Sequence, residues 1–559
     1  MYTTATAFLE ALRDAGVEYI FANLGSDHTA LIESLAEAKA AGDTMPRLIT
    51  CPNEMVALSA AHGYAQATGR PQAVFVHVEC GTQALAGAVH NAAKGRAPVL
   101  IFAGMSPMTQ EGELRGSRNE FIHWLQDVFD QRGIVRQYMR YDNEIRTGVN
   151  VKQVVWRALQ FARSDPQGPV YLTAAREVLE QEVSPVRADP ADWPVVSPGA
   201  AAPEFIESLA RDLNAAQRPL IVTSYAGRKV EAVAELVRLA ERGGIGVLDS
   251  VPNCVNFPAD HPMYQGVQGN EPRQSRVLAE ADLVLAIDSD VPWMPTVNKP
   301  RDGAAIYHID VDPLKERIPL WYIQARHIAR ADASTALRQV VEMVRPNPGR
   351  EKHYAALHEE WRAGLCAREE PGTAEFLTSR IRRHLNDESV VLNEGITSYK
   401  AIAEHVGPRP PARMFTSGGG SLGWHGGAAI GFKLAWPEKT VVALTGDGSY
   451  LFSVPASVHW MARRYQTPFV QVIYNNGGWR SPRLSTVSVH PDGYASQGAD
   501  IGVAFEEPAD YAGIAAAAGG AFARTVRDFG QLDAALDEAF HAVRVEKRCA
   551  VLDVLLPRI

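Results

Sequence analysis

Residues 440–450 read TVVALTGDGSY, and residues 468–479 read PFVQVIYNNGGW. In each stretch an apolar run ends in polar groups, Asp447 between two glycines in the first and Asn475-Asn476 in the second. The interval holds one helix-patterned segment, PASVHWMARRY. Parallel strands joined by one crossover have their C-terminal ends side by side, so Asp447 is expected to face the asparagine pair. A carboxylate, an amide oxygen and a nearby backbone carbonyl are hard oxygen donors. They suit Mg²⁺, which keeps further positions for water or diphosphate oxygens. The glycines let backbone N–H groups approach a diphosphate closely. Either motif alone is an ordinary turn in many proteins; the pair in this strand context indicates a site.

Elements that would position such a site run along most of the 559 residues. Strand candidates YIFAN, PRLIT, AVFVHV and APVLIFAG alternate with the helical stretches MVALSAAHGYAQAT and TQALAGAVHNAAKG. A second set (PLIVTS, GVLDS, LVLAID, AIYHID) and a third (SVVLNEG, RMFTS, TVVALTG, PFVQVIYNN, CAVLDVLL) keep the same rhythm. This alternation predicts right-handed βαβ units and an α/β fold of three doubly wound domains with mostly parallel sheets. The Pro- and Ala-rich stretch 176–203 reads as the first linker, and RPNPGREKHY as the second breaker. The expected domains are 1–185, 186–350 and 351–559.

Composition narrows the class. The chain is 46% hydrophobic and 21% charged, as soluble globular proteins are. A net charge of −9 and the lack of a basic stripe argue against nucleic acid as a partner. No apolar run is long enough to span a membrane. The N-terminus has no basic leader or apolar signal core and reads as an amphipathic helix entering a strand. Five widely spaced cysteines form no CxxC pair. Free thiols in a reducing compartment, and hence a cytoplasmic protein, are expected.

Gly-Asp-Gly, a helix, a strand and Asn-Asn together resemble the thiamine-diphosphate motif. The chain as a whole resembles the acetolactate synthase and benzoylformate decarboxylase branch of thiamine-diphosphate-dependent enzymes. The interval between the two halves of the motif is about two residues longer than usual, within SVPASVHWM. The resemblance implies thiamine diphosphate and Mg²⁺ as cofactors. It makes Asp447, Asn476 and the Gly478 carbonyl metal ligands and places Gly448 and Ser449 near the diphosphate. In RMFTSGGGSLGWHGGAAIGFKLAWP it places Leu422 beneath the cofactor and the Gly420 carbonyl at its amino group, although His425 and Gly427 depart from the usual continuation. In LNEGITSY, Thr397 and Ser398 are candidates for diphosphate contact. In LITCPNEMVALSAAHGYAQATG, Glu54 matches the glutamate that activates the cofactor by sharing a proton with its pyrimidine ring, a role served by the raised pKa of a carboxyl in an apolar site. A glutamate at a helix N-terminus also has an ordinary macrodipole explanation. Glu54 and Asp447 lie in different domains, which in this family meet across a subunit interface. A homodimer is therefore the expected minimum and a homotetramer the expected assembly.

On the substrate side, Ser26 in FANLGSDHTALIESL matches a decarboxylase serine that binds the substrate carboxylate. Ser26 and Asp27 are equally well placed to cap a helix beginning at Thr29. His77 matches a strand-end histidine for proton transfer, and Gln126 in HWLQDVFDQ resembles a substrate-side amide of acetolactate synthases. The decarboxylases' second histidine is expected from the middle domain, where IDSDVPWMPTVNKP holds none. Arg480 and Arg483 follow the asparagine pair and are either carboxylate-attracting groups or a solvated helix start. The implied activity is an acetolactate synthase-like one. It decarboxylates a small 2-oxo acid and passes the resulting carbanion to a second carbonyl or to a proton. The alternatives are an aromatic 2-oxo acid decarboxylase and, in another class, a non-catalytic cofactor-binding scaffold.

Overall fold

The computed structural model describes residues 1–185, 188–271, 273–321, 323–498 and 502–558. It contains three six-stranded sheets in which every strand pair is parallel. The first sheet comprises β1 (Tyr19–Ala22), β2 (Arg47–Thr50), β3 (Gln72–Val76), β4 (Val99–Met105), β5 (Tyr141–Ile145) and β6 (Val170–Ala175), in the order β2-β1-β3-β4-β6-β5. The second comprises β7 (Pro219–Thr223), β8 (Gly246–Ser250), β9 (Tyr264–Gln268), β10 (Leu283–Ile287), β11 (Ala305–Asp310) and β12 (His327–Arg330), in the order β12-β11-β10-β7-β8-β9. The third comprises β13 (Ser389–Glu394), β14 (Met414–Phe415), β15 (Thr440–Gly446), β16 (Val470–Asn475), β17 (Phe522–Val526) and β18 (Ala550–Leu555), in the order β14-β13-β15-β16-β18-β17. The first and third sheets therefore share one topology. Central strands such as β3, β7 and β16 are buried throughout, which explains their unbroken apolar runs: helices cover both faces of a parallel sheet.

The first and third domains are joined by two helices, Glu54–Thr68 and Trp424–Ala435. Asn53 starts the first helix by accepting from the Val56 N–H at 3.1 Å. Small residues make the crossing close. A Cβ on Gly427 would lie 2.6 Å from the Val56 carbonyl oxygen, and one on Gly63 would lie 2.6 Å from that of Ala428. The Ala/Gly-rich stretches SAAHGYA and GGAAIG are thus a packing feature.

Three sequence expectations need revision. TQALAGAVHNAAKG is two helices, Val78–Ala84 and Ala88–Lys94, broken at Ala86, which has a φ of 44°. The expected linker 176–203 opens with the helix Arg176–Glu180, and residues 176–179 of it are buried in the first domain. RPNPGREKHY is the start of the helix Pro348–Ala367, capped by Asn347 at the Arg350 N–H, and Tyr354 of that helix packs in the central core. The sequence shows Pro and Gly as breakers, but Pro is equally suited to a first helical turn.

Candidate active site

Two groups of polar residues gather at the carboxyl ends of strands, where open α/β sheets bind ligands. In the third sheet, β15 and β16 are neighbours with Gly446 paired to Tyr474, which sets Asp447 beside the asparagine pair as predicted. The Asp447 carboxylate accepts from the N–H groups of Gly448 and Gly477, both at 2.8 Å. Burial nevertheless raises its pKa to about 6, and the backbone N–H groups only partly counter this. Asn476 Oδ1 is buried and has no hydrogen-bond partner, while its Nδ2 points at Thr397 Oγ1, 3.5 Å away. The Gly478 carbonyl accepts from the Arg480 N–H at 3.2 Å and keeps a second lone pair. A buried carboxylate, an orphaned amide oxygen and a carbonyl suit a hard divalent cation. Among the described residues no cluster of three His, Cys, Asp or Glu offers a different kind of metal site.

Beneath this group, Glu394 at the end of β13 ties three segments together. It accepts from Ser449 Oγ at 2.7 Å, from the Gly423 and His425 N–H groups at 2.5 and 2.7 Å, and from His425 Nδ1 at 3.0 Å. His425, whose residue type departs from the family pattern, thus has a buried carboxylate partner. The Ser449 hydroxyl proton is engaged by Glu394. A Cβ on Gly448 would overlap the Trp479 ring, so glycine is required here for the ring's close approach. Ser398 is buried, and Thr397 is exposed beside Asn476. Gly420 donates to His90 Nε2 at 3.1 Å, and Asn91 holds both the N–H and the carbonyl of Ser421. The loop carrying Leu422 is therefore fastened to the first domain. The helix Arg480–Val489 has no buried residue, so Arg480 and Arg483 stand on a solvated helix.

The second group lies in the first domain. Loops after β1, β2, β3 and β4 bring Ser26, Glu54, His77 and Gln126 to one edge. The Glu54 carboxylate accepts from Asn23 Nδ2 at 2.9 Å. His77 Nδ1 donates to Asp27 Oδ1 at 2.6 Å, and His77 Nε2 faces Gln126 Oε1 at 2.9 Å. Both ring nitrogens face acceptors, which favours the imidazolium. The bond to Asp27 raises the His77 pKa, and this outweighs the opposing effect of burial. Burial alone would keep Asp27 protonated, but His28 and His77 more than offset it and hold its carboxyl well below the usual range. Asp27 Oδ2 also accepts from the Val78 N–H at 3.1 Å. The helix-cap reading of Ser26 and Asp27 is therefore wrong: the helix Thr29–Ala41 has no side-chain cap, and both residues point to histidines. Ser26 Oγ lies 3.2 Å from His123 Nε2. Among the described residues no hydrogen bond or ion pair links Glu54 to Asp447 or Asn476 within the chain.

Sequence reasoning missed Asp27, His123, Arg176 and Glu394. A signal existed for Glu394, a charged residue closing an apolar strand. None existed for the others, whose partners lie far away in the chain.

The doubly wound three-domain fold thus presents an oxygen-rich polar cluster and a separate histidine cluster at the carboxyl ends of its strands, the usual place for ligands in such sheets. Three family models match the chain: the N-terminal thiamine pyrophosphate binding domain over residues 2–134, the central domain over 206–339 and the C-terminal thiamine pyrophosphate binding domain over 395–554. The chain belongs to the thiamine pyrophosphate enzymes. It is 26% identical to a benzoylformate decarboxylase of Pseudomonas aeruginosa over 491 residues, covering 86% of this chain and 88% of the relative. It is 25% identical to the acetolactate synthase isozyme 1 large subunit of Escherichia coli, covering 81% and 78%. Its fold is like that of a thiamine diphosphate-dependent 4-hydroxybenzoylformate decarboxylase from Rhodococcus jostii, with a TM-score of 0.80 at 21% identity over 100% and 99% of the two chains. Among the described residues no helix is long and apolar enough to cross a membrane.

Proposed function

We propose that this enzyme decarboxylates a small 2-oxo acid with thiamine diphosphate and Mg²⁺, and that proton delivery by His77 makes an aldehyde the main product. The observation that carries this reading is the Asp27–His77–Gln126 array, which holds an imidazolium at the reacting edge. Asp447, Asn476 and the Gly478 carbonyl would hold the metal. The backbone at Gly448 and Ser449, with Thr397 and Ser398, would hold the diphosphate. Leu422 and the Gly420 carbonyl would orient the pyrimidine, and Glu54 would share a proton with it. Thiamine diphosphate, when bound, supplies the electron sink for the carbanion left by CO₂. Ser26 binds the substrate carboxylate and His77 donates the proton that ends the cycle. With Glu54 and Asp447 on separate domains, the proposed active unit is a homodimer within a homotetramer in the cytoplasm.

Carboligation to a second carbonyl is the second reading, supported by Gln126 and by the similarity to an acetolactate synthase. The test is to strip Mg²⁺ and thiamine diphosphate, restore them, and follow CO₂ release from pyruvate, 2-oxobutyrate and benzoylformate. The aldehyde and the 2-hydroxy ketone are quantified alongside. Aldehyde in excess supports His77 as proton donor, and ketone in excess supports the second reading. Tight cofactor binding without turnover of any 2-oxo acid would leave only a cofactor-binding scaffold.

A further inference from the structure

A second histidine stands beside Ser26, from a loop of the first domain. His123 lies between β4 and β5 and is buried, with 4% of its surface exposed. Its Nδ1 receives the Asn119 and Glu120 N–H groups at 3.3 and 3.4 Å. An imidazole nitrogen that accepts carries no proton, so the ring proton sits on Nε2. Nε2–H therefore donates to Ser26 Oγ at 3.2 Å. With that oxygen already accepting, the Ser26 hydroxyl proton is directed away from His123. Ser26 is half-buried and faces the same edge as His77.

Behind this pair lies Arg176, also 4% exposed. Its guanidinium donates to the carbonyls of Ser26 at 3.2 Å, Gly116 at 2.7 Å and Ser117 at 2.6 Å, and to Asn119 Oδ1 at 2.7 Å. All four acceptors are neutral, so these bonds fix the loops carrying Ser26 and His123 without cancelling the charge. Burial, reinforced by Arg176, lowers the His123 pKa and outweighs the exposed Glu120 carboxylate 4.0 Å from Nε2, which keeps the ring a neutral donor. A buried cation behind an oriented hydroxyl creates a positive field for an anion in a low-dielectric setting.

We infer that His123 and Arg176 are positioning residues that set Ser26 as the receptor for the carboxylate of the substrate. His123 fixes the direction of the Ser26 hydroxyl, and Arg176 supplies the charge and holds both loops. This assignment rests on the 2-oxo acid reading above and names the part of the pocket that recognises the acid group.

The test uses the cofactor-loaded enzyme and equilibrium binding, which does not require turnover. The probes are lactate and mandelate, two 2-hydroxy acids, with mandelamide as the uncharged counterpart of the second. In His123→Phe, binding of the better acid is expected to weaken roughly 10- to 100-fold, the effect of losing one hydrogen bond to a charged group. Affinity for mandelamide and for thiamine diphosphate should stay within about twofold. His123→Gln, whose amide still donates, should recover most of the loss. Arg176→Gln should weaken acid binding clearly more than mandelamide binding, and Arg176→Lys should recover part of the acid affinity. Equal weakening for acid and amide would mean a purely structural role and would overturn the inference. So would unchanged acid binding in His123→Phe, or a wild-type enzyme that prefers mandelamide to both acids. Selective acid binding without turnover of any 2-oxo acid would sink the proposed reaction and leave this assignment standing.

Discussion

Replacing Gly25 by alanine separates the geometry of His77 from its chemistry. Gly25 has φ −128° and ψ −175°, extended backbone that any residue adopts, so alanine carries no conformational penalty there. Its Cβ, however, would sit inside the His77 ring and 2.8 Å from Asp27 Oδ1. The Asp27 carboxylate is held from its other side by the Val78 N–H, whereas His77 is partly exposed and held on its far side by Gln126 alone, so the ring is the part that moves. To regain normal contact the ring must retreat by roughly 1 Å or more. The 2.6 Å bond to Asp27 then passes beyond about 3.5 Å, where little of it survives. A bond between charged partners contributes about 1.5–3 kcal/mol, an upper limit for the loss of stability. Catalysis should fall by about 10²–10⁴, the usual range for a general acid.

The pH profile gives the sharper readout. With His77 as the proposed proton donor, activity should fall as pH rises through its pKa, which Asp27 raises. Without Asp27 the falling limb should move to lower pH. The assay is steady-state decarboxylation across pH, with thiamine diphosphate affinity measured in parallel and expected to be unchanged, since the Asp447 and Glu54 contacts are untouched. A Gly25→Ala enzyme with wild-type rate and an unshifted limb would refute the reasoning that places His77 in the proton path.

Three further outcomes are expected. Glu54→Gln keeps the Asn23 contact and the shape of the site, so cofactor should still bind while exchange of the cofactor's C2 proton falls by about 10²–10⁴, as NMR exchange would show. Asn476→Ala removes an oxygen that has no partner within the chain and only a long contact from Nδ2 to Thr397, so stability without metal should fall by no more than about 1 kcal/mol while activation by Mg²⁺ needs at least about tenfold more metal, read by titration. Asp249 is buried in the central domain between Asn256 and Tyr264, and burial raises its carboxyl pKa from 3.8 to about 7. The folded state therefore holds its proton longer than the unfolded state, and stability falls as pH rises between about 4 and 7. Asp249→Asn mimics the neutral acid and should remove this slope in denaturant titrations, a gain near pH 8 of at most about 4 kcal/mol.

What the sequence determined by itself was local or strictly periodic. Apolar runs in alternation predict parallel sheets because a strand covered on both faces tolerates few polar residues. Asp447 and the asparagine pair were legible as neighbours because one crossover lies between them and topology leaves little freedom in where their strands end. Glu54 stood out only through the resemblance of its strand, turn and helix to the family's; on its own it reads as an ordinary helix-terminal glutamate. The tertiary structure alone decided the partners of the substrate-side residues. Asp27 meets His77, Ser26 meets His123, and Arg176 closes over both loops from a stretch whose composition reads as a linker. These contacts join loops after four different strands, and such loops obey no periodicity. Their geometry follows from packing: Gly25 leaves room for the His77 ring, and Gly104 leaves room for the buried Asp27. The same aspartate that could cap a helix in the sequence becomes, once buried between two histidines, the group that holds His77 in place.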